Sequence, residues 1–254
     1  MHSNLIKKSI RLIAPAVFWL GLWVLAARII DQPLFLPGPG LVFSTLRELM
    51  GTTLYWRHVS ATLLRVVSGT LLGIAAGVIL GIVTHLSALL DALLSPAVRV
   101  VRAAPVVSFI ILILLWAGSD KVPVIICAMM VMPVVWENLR AGLKSPDRDL
   151  LEMASAYRMG ALRKARYIYL PACLPYLKSG ILSSLGLAWK SGVAAEVLCT
   201  PRRAVGTQVY YSKLYLETPS LFAWTVTVVA LSLLLEWIIR RALGKRTGGD
   251  RDAV

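Results

Sequence analysis

The sequence predicts an all-α integral membrane protein with six transmembrane helices and both termini cytoplasmic. Three observations predict it: an apolar composition, six apolar stretches long enough to cross a bilayer, and a one-sided distribution of basic residues. Of 254 residues, 57% are hydrophobic and 16% are charged, with a mean hydropathy of +0.73. Soluble domains carry charge on about a quarter of their residues, and disorder needs low hydrophobicity together with high net charge. Both classes are excluded. The net charge of +14, from 27 Lys and Arg against 13 Asp and Glu, would suggest nucleic acid in a soluble chain. In so apolar a chain it reads first as membrane topology.

A bilayer core takes about 20 apolar residues per helix. The expected spans are Leu12 to Ile30, Ala61 to Val83, Val98 to Ala117, Val122 to Leu139, Leu177 to Leu198 and Leu221 to Leu243. The first follows Lys7, Lys8 and Arg11, as a signal peptide would. It is longer than a typical signal core, and five spans follow, so it reads as an uncleaved helix. With the N-terminus inside, the inner segments hold 18 of the 27 basic residues and the outer segments and span ends hold eight. Lys190 lies within a span. Basic loops stay cytoplasmic, and an even number of spans returns both termini to one side. The loops are short, so residues 1–254 form a single membrane domain.

The second span carries Gly69, Gly73, Gly77 and Gly81 on one helical face. Small residues at that spacing let helices approach closely in lipid. Packing within one subunit, a contact between subunits and a hinge would each use such a face. Pro105, Pro123 and Pro133 are expected to kink the third and fourth spans. In the fifth, Lys190 and Glu196 are charges within an apolar helix, which face a bundle interior or a wet cavity. They lie six apart, about 120° around the helix, so they do not pair with each other. They are candidates for a translocation pathway or gate; Glu196 could equally reach headgroup water. Glu236 with Arg240, and Glu137 with Arg140, read as local pairs at the inner interface.

The long inner loop, residues 141–176, carries the most information. Pro146 and Asp147 mark a helix start. Leu150, Leu151, Met153, Ala154 and Tyr157 recur at helical spacing. Met159-Gly160 is a break, a basic turn through Arg163, Lys164 and Arg166 follows, and Pro171 and Pro175 are expected to end it. Two short helices at the inner interface result, of a composition suited to anionic lipid headgroups.

This loop resembles the signature of permease subunits of binding-protein-dependent ABC importers: Glu-Ala-Ala, three residues, Gly, nine residues, Ile, one residue, Leu-Pro. Glu152, Met153 and Ala154 match the start, and Ile168, Leu170 and Pro171 match the end. Met153 replaces the middle Ala. Arg158 stands at the Gly position, with Gly160 two residues later, which changes the expected shape of the turn. Leu36-Pro37-Gly38-Pro39, Pro96 through Trp116-Ala117-Gly118, Trp189-Lys190 with Val193 through Glu196, and Thr218-Pro219 are similar to the nitrate/sulfonate/taurine/bicarbonate group of these permeases.

The resemblance implies a type I ABC importer permease fold, a dimer with a second permease copy, two cytoplasmic ABC ATPase subunits and an external substrate-binding protein. It makes Glu152, Met153, Ala154, Tyr157, Arg158, Gly160, Ile168, Leu170 and Pro171 an ATPase-coupling segment. Leu151, Met153, Ala154 and Tyr157 would supply its apolar contacts. The implied substrate is a small anion or related nutrient. The chain has no Gly-x-x-x-x-Gly-Lys-Ser/Thr phosphate loop, so ATP and Mg belong on the partner and no cofactor is expected here. The expected partners include membrane lipid and exclude nucleic acid. A stand-alone secondary transporter or channel is the alternative. An intramembrane enzyme is disfavoured, because the spans show no paired acids, metal set or activated nucleophile.

Overall fold

The computed structural model describes residues 2–244, with side chains from Ala14 except Ala16, and through Ala242. Lys245, Arg246 and Arg251 lie outside the described residues, as do the side chains of Lys7, Lys8 and Arg11. All regular structure among the described residues is helical.

Helix α1 (His2–Ile30) leads to a connecting segment that Trp23 holds by donating Nε1–H to the Pro37 carbonyl at 3.1 Å. Helix α2 (Pro39–Met50) starts on Pro39, where a missing N–H costs nothing. Thr52 caps α3 (Thr53–Leu86), its hydroxyl accepting from the Tyr55 N–H. At 34 residues α3 is about 50 Å long, more than the hydrocarbon thickness requires. The glycines of α3 meet helix α6 (Val122–Leu143). A Cβ on Gly69 would lie 2.5 Å from the Val124 carbonyl oxygen, and one on Gly73 2.7 Å from that of Ala128. On Gly77 it would lie 2.7 Å from the Met132 oxygen, and on Gly81 2.7 Å from Leu139. The stripe therefore brings two helix backbones together within the subunit.

The expected third span is not one helix. It divides into α4 (Ala88–Ala103) and α5 (Val106–Ala117), bent by 106°. Pro105 sets the position of the break: it removes a donor and forces Ala104 into extended backbone, ψ 144°. Pro123, expected as a kink, instead opens α6 within its first turn. Only Pro133 lies inside that helix.

The inner loop forms α7 (Arg148–Ala156) and α8 (Ala161–Lys164). The latter runs through a π-helical turn, Ala165–Tyr169, into α9 (Leu170–Cys199). Pro171 and Pro175 therefore lie in the first turns of α9 rather than end the loop. The Leu170 N–H already reaches back five residues to the Ala165 carbonyl, so a proline next in sequence meets an interrupted ladder. Helices α10 (Val205–Leu214) and α11 (Thr218–Gly244) complete the fold.

Three helices make the centre: Val66 of α3, Cys127, Val131 and Val135 of α6, and Ala188, Trp189 and Val193 of α9 pack together. Tyr55 stacks on Trp224 with ring centroids 5.1 Å apart, tying α3 to α11. Among the described residues four helical segments are long and apolar enough to cross a membrane: α3, α6, Ala161–Cys199 and α11. The bent α4–α5 pair makes five. The chain is a multi-pass membrane protein.

Candidate functional site

The inner loop is built from its caps. Asp147 accepts the Asp149 N–H at 3.1 Å and starts α7. At the other end Arg158 adopts φ +51°, a left-handed conformation that usually requires glycine. Its N–H bonds the Ser155 carbonyl, and the Met159 N–H bonds that of Ala154 at 2.8 Å. These two bonds form a Schellman motif. Arg158, at the glycine position of the resembled signature, thus takes a backbone conformation that glycine adopts freely. Lys164 Nζ donates to Ser155 Oγ at 2.9 Å and pins α8 to α7.

This geometry sorts the loop residues. Met153 is 52% exposed and Tyr157 81%, and Glu152, Arg158 and Gly160 are also exposed. Ala154 is 1% exposed and faces the protein, so it offers no outward contact: that part of the expected docking surface is corrected. Leu150, at 47% exposed, joins Met153 and Tyr157 along the open edge. Ile168 is half-buried in the π-helical turn, and Leu170 and Pro171 are exposed at the start of α9. Beneath the loop lies an apolar cavity of about 790 Å³, bounded by Ile82, Leu139, Leu162 and Leu174.

Where the first turns of α3 meet the C-terminal part of α9, a second cluster forms around Glu196, which has no exposed surface. Its Oε2 accepts from Thr62 Oγ1 at 2.8 Å and from the Gly206 N–H at 3.2 Å. Its Oε1 accepts from Arg65 Nη1 at 3.3 Å. Arg65 also donates to the Arg203 carbonyl at 2.5 Å and pairs with Asp120 at 3.0 Å. Gly206 is required here, because a Cβ would lie 2.5 Å from Glu196 Cβ. One carboxylate thus joins α3, α9, the start of α10 and, through Arg65, the loop before α6. Enclosure in this cluster excludes the headgroup-water role for Glu196.

Lys190 is exposed on α9 and is not brought near Glu196. Sequence reasoning placed Arg65 among outer span-end charges and missed its partners. The available signal was a guanidinium four residues into an apolar span.

A third polar region lies between α4 and α6. Arg140 Nη2 pairs with Asp91 Oδ2 at 2.7 Å, and Arg102 pairs with Glu137. The expected local pair of Glu137 with Arg140 is therefore corrected, since each turns to a partner on α4. Glu236 does pair with Arg240, at 2.6 Å.

Apolar helices long enough to cross a membrane, a sharply bent helix pair and a loop that presents an apolar edge define a multi-pass membrane protein. The chain belongs to the family described as binding-protein-dependent transport system inner membrane component, which matches residues 69–247. It is 28% identical to the taurine transport system permease protein TauC of Escherichia coli strain K12, over 88% of this chain and 83% of that protein. It is 31% identical to the riboflavin transport system permease protein RibX of Chloroflexus aurantiacus, over 84% of this chain and 80% of that one. The crystal structure of a bacterial ABC transporter involved in import of the acidic polysaccharide alginate shares the fold. Its TM-score is 0.65 at 17% identity, over 96% of this chain and 98% of that one.

Proposed function

We propose that this chain is the translocating subunit of an ATP-driven importer, a single domain that crosses the membrane six times with both termini in the cytoplasm. Two copies pair about a two-fold axis, two ABC ATPase subunits bind below, and an external binding protein delivers the solute. ATP and Mg are held by the ATPases, and this chain carries no cofactor. Family membership favours this reading over a stand-alone transporter or channel.

The observation that carries the reading is the capped helix α7, whose open edge of Leu150, Met153 and Tyr157 has no partner among the described residues. An apolar edge with a charged rim suits a protein interface. In this account Glu152, Met153, Tyr157 and Arg158 face the ATPase. Ala154, Gly160, Ile168, Leu170 and Pro171 shape the segment and join it to α9. Motion of the ATPases then passes directly into the fifth span. Lys190 lines the pathway, and Glu196 braces its outer end from inside the subunit.

For the solute we favour a small anion of the sulfonate kind, supported by the likeness to a taurine permease. The riboflavin permease, at 31% identity, supports a second reading, a flat ring compound. A binding screen on the cognate external protein separates the two. The importer reading itself is tested by uptake into vesicles that hold this chain with its ATPase. Uptake that needs ATP and the external protein supports it; uptake driven by an ion gradient alone contradicts it.

A further inference from the structure

The cleft between α4 and α6 is a second chemical site. Asp91, Ser95, Arg99 and Arg102 lie along one side of α4, and Trp136, Glu137 and Arg140 face them from α6. Together they enclose a cavity of about 600 Å³, within the usual range for a small-ligand pocket.

The carboxylates in this cleft are committed. Asp91 accepts from Arg140 Nη2 at 2.7 Å and from Ser95 Oγ at 2.6 Å. Glu137 accepts from Arg102. The guanidinium groups are not exhausted, since each carries five N–H donors. Arg102 uses one nitrogen, on Glu137. Arg99 uses Nε, on the Ser95 carbonyl at 3.3 Å, and forms no ion pair among the described residues. Arg140 uses both terminal nitrogens, and its plane is held over the Trp136 ring at 4.7 Å. Three arginines against two carboxylates leave one positive charge and a surplus of donors around an open volume. A surplus cation in a concave cleft, even with Arg99 and Arg102 exposed, draws a counter-anion. Forked guanidinium groups select planar or tetrahedral oxyanions.

We infer that this cleft binds a monoanionic tetrahedral oxyanion, a sulfonate or a phosphodiester, with Arg99 as its principal donor. The anion arrives either as a free solute or as the headgroup of an anionic lipid, and basic clefts between membrane helices accept such headgroups. Its place follows from the chain. The cleft ends at Arg140, immediately before the 141–176 loop, so a bound anion ties α4 to the root of that loop.

The inference stands apart from the importer reading, because binding needs neither ATPase nor external protein. The test uses the full chain, purified in detergent in the presence of phosphatidylglycerol. Ethanesulfonate is titrated by calorimetry, and retained phosphatidylglycerol is counted by native mass spectrometry. One saturable site per chain is expected for at least one probe. Arg99→Gln should weaken it about tenfold, the loss of one or two charged hydrogen bonds. Arg99→Lys should weaken it less, and Arg57→Gln, on the exposed outer end of α3, should leave it unchanged. Ethanesulfonate binding without lipid retention identifies a solute site. Retained lipid that ethanesulfonate displaces identifies a headgroup site. If neither probe saturates, or if Arg99→Gln binds like Arg57→Gln, the inference is wrong.

Discussion

Thr62 donates its hydroxyl to the Glu196 carboxylate at 2.8 Å while accepting the Val205 N–H at 2.9 Å. One small side chain thus joins α3 to α9 and to the start of α10. Removing one partner of a buried ion pair leaves the other uncompensated, at about 3–5 kcal/mol. Arg65 keeps Asp120, so Glu196→Ala is expected to cost about 2–4 kcal/mol. Glu196→Gln keeps its acceptor oxygen and should cost less. Thermal melts in detergent check the order; a Glu196→Ala protein that melts with wild type contradicts it.

The glycine face of α3 makes a sharper prediction. Gly73→Ala would put a methyl 2.7 Å from both the Ala128 oxygen and Val131 Cβ. Neither is the free end of a flexible side chain, so the helices must separate, at about 1–3 kcal/mol. Gly186→Ala, with nothing within 4 Å, should be neutral or slightly stabilising. Equal melting of the two variants would remove the packing role.

Arg158 holds a conformation that costs about 1–2 kcal/mol for a residue with a Cβ. Arg158→Gly should protect the Tyr157 and Met159 amides better against hydrogen exchange. Arg158→Val should protect them less, since branching at Cβ worsens the strain. If valine protects as well as glycine, the left-handed cap is absent.

Ala154 and Tyr157 are both loop residues, yet their variants should fail differently. Ala154→Asp buries a carboxylate and should disorder α7, seen as faster exchange along the helix. Tyr157→Asp changes only an exposed surface and should leave exchange unaltered while ATPase binding falls. Matching exchange profiles for the two variants would contradict this division.

Much of this was legible in the sequence because its physics is local. Four glycines at a spacing of four define a face before any partner is known. The helix start at Asp147 was legible from Pro146 and Asp147 alone. The rest depended on neighbours remote in the chain. Glu137 and Arg140 have the spacing of a local pair, but Arg102 and Asp91 lie closer in space. Arg65 looked like one more outer charge because its partners, Asp120 and Glu196, are 55 and 131 positions away. Pro105 announced a kink, but the 106° turn depends on how α4 packs on α6. Which side of α7 is open could not be read from nine residues alone, so Ala154 was assigned to the wrong face.

The central claim is that this chain moves solute only when its inner loop is engaged by an ATPase. The most direct measurement is ATP-driven uptake in proteoliposomes containing this chain, its ATPase and its binding protein, with Tyr157→Asp beside wild type. The account predicts ATP-dependent uptake by wild type and a loss of about tenfold or more in the variant, as expected for a truncated interface anchor. Wild-type rates in the variant, or uptake indifferent to ATP, would contradict it.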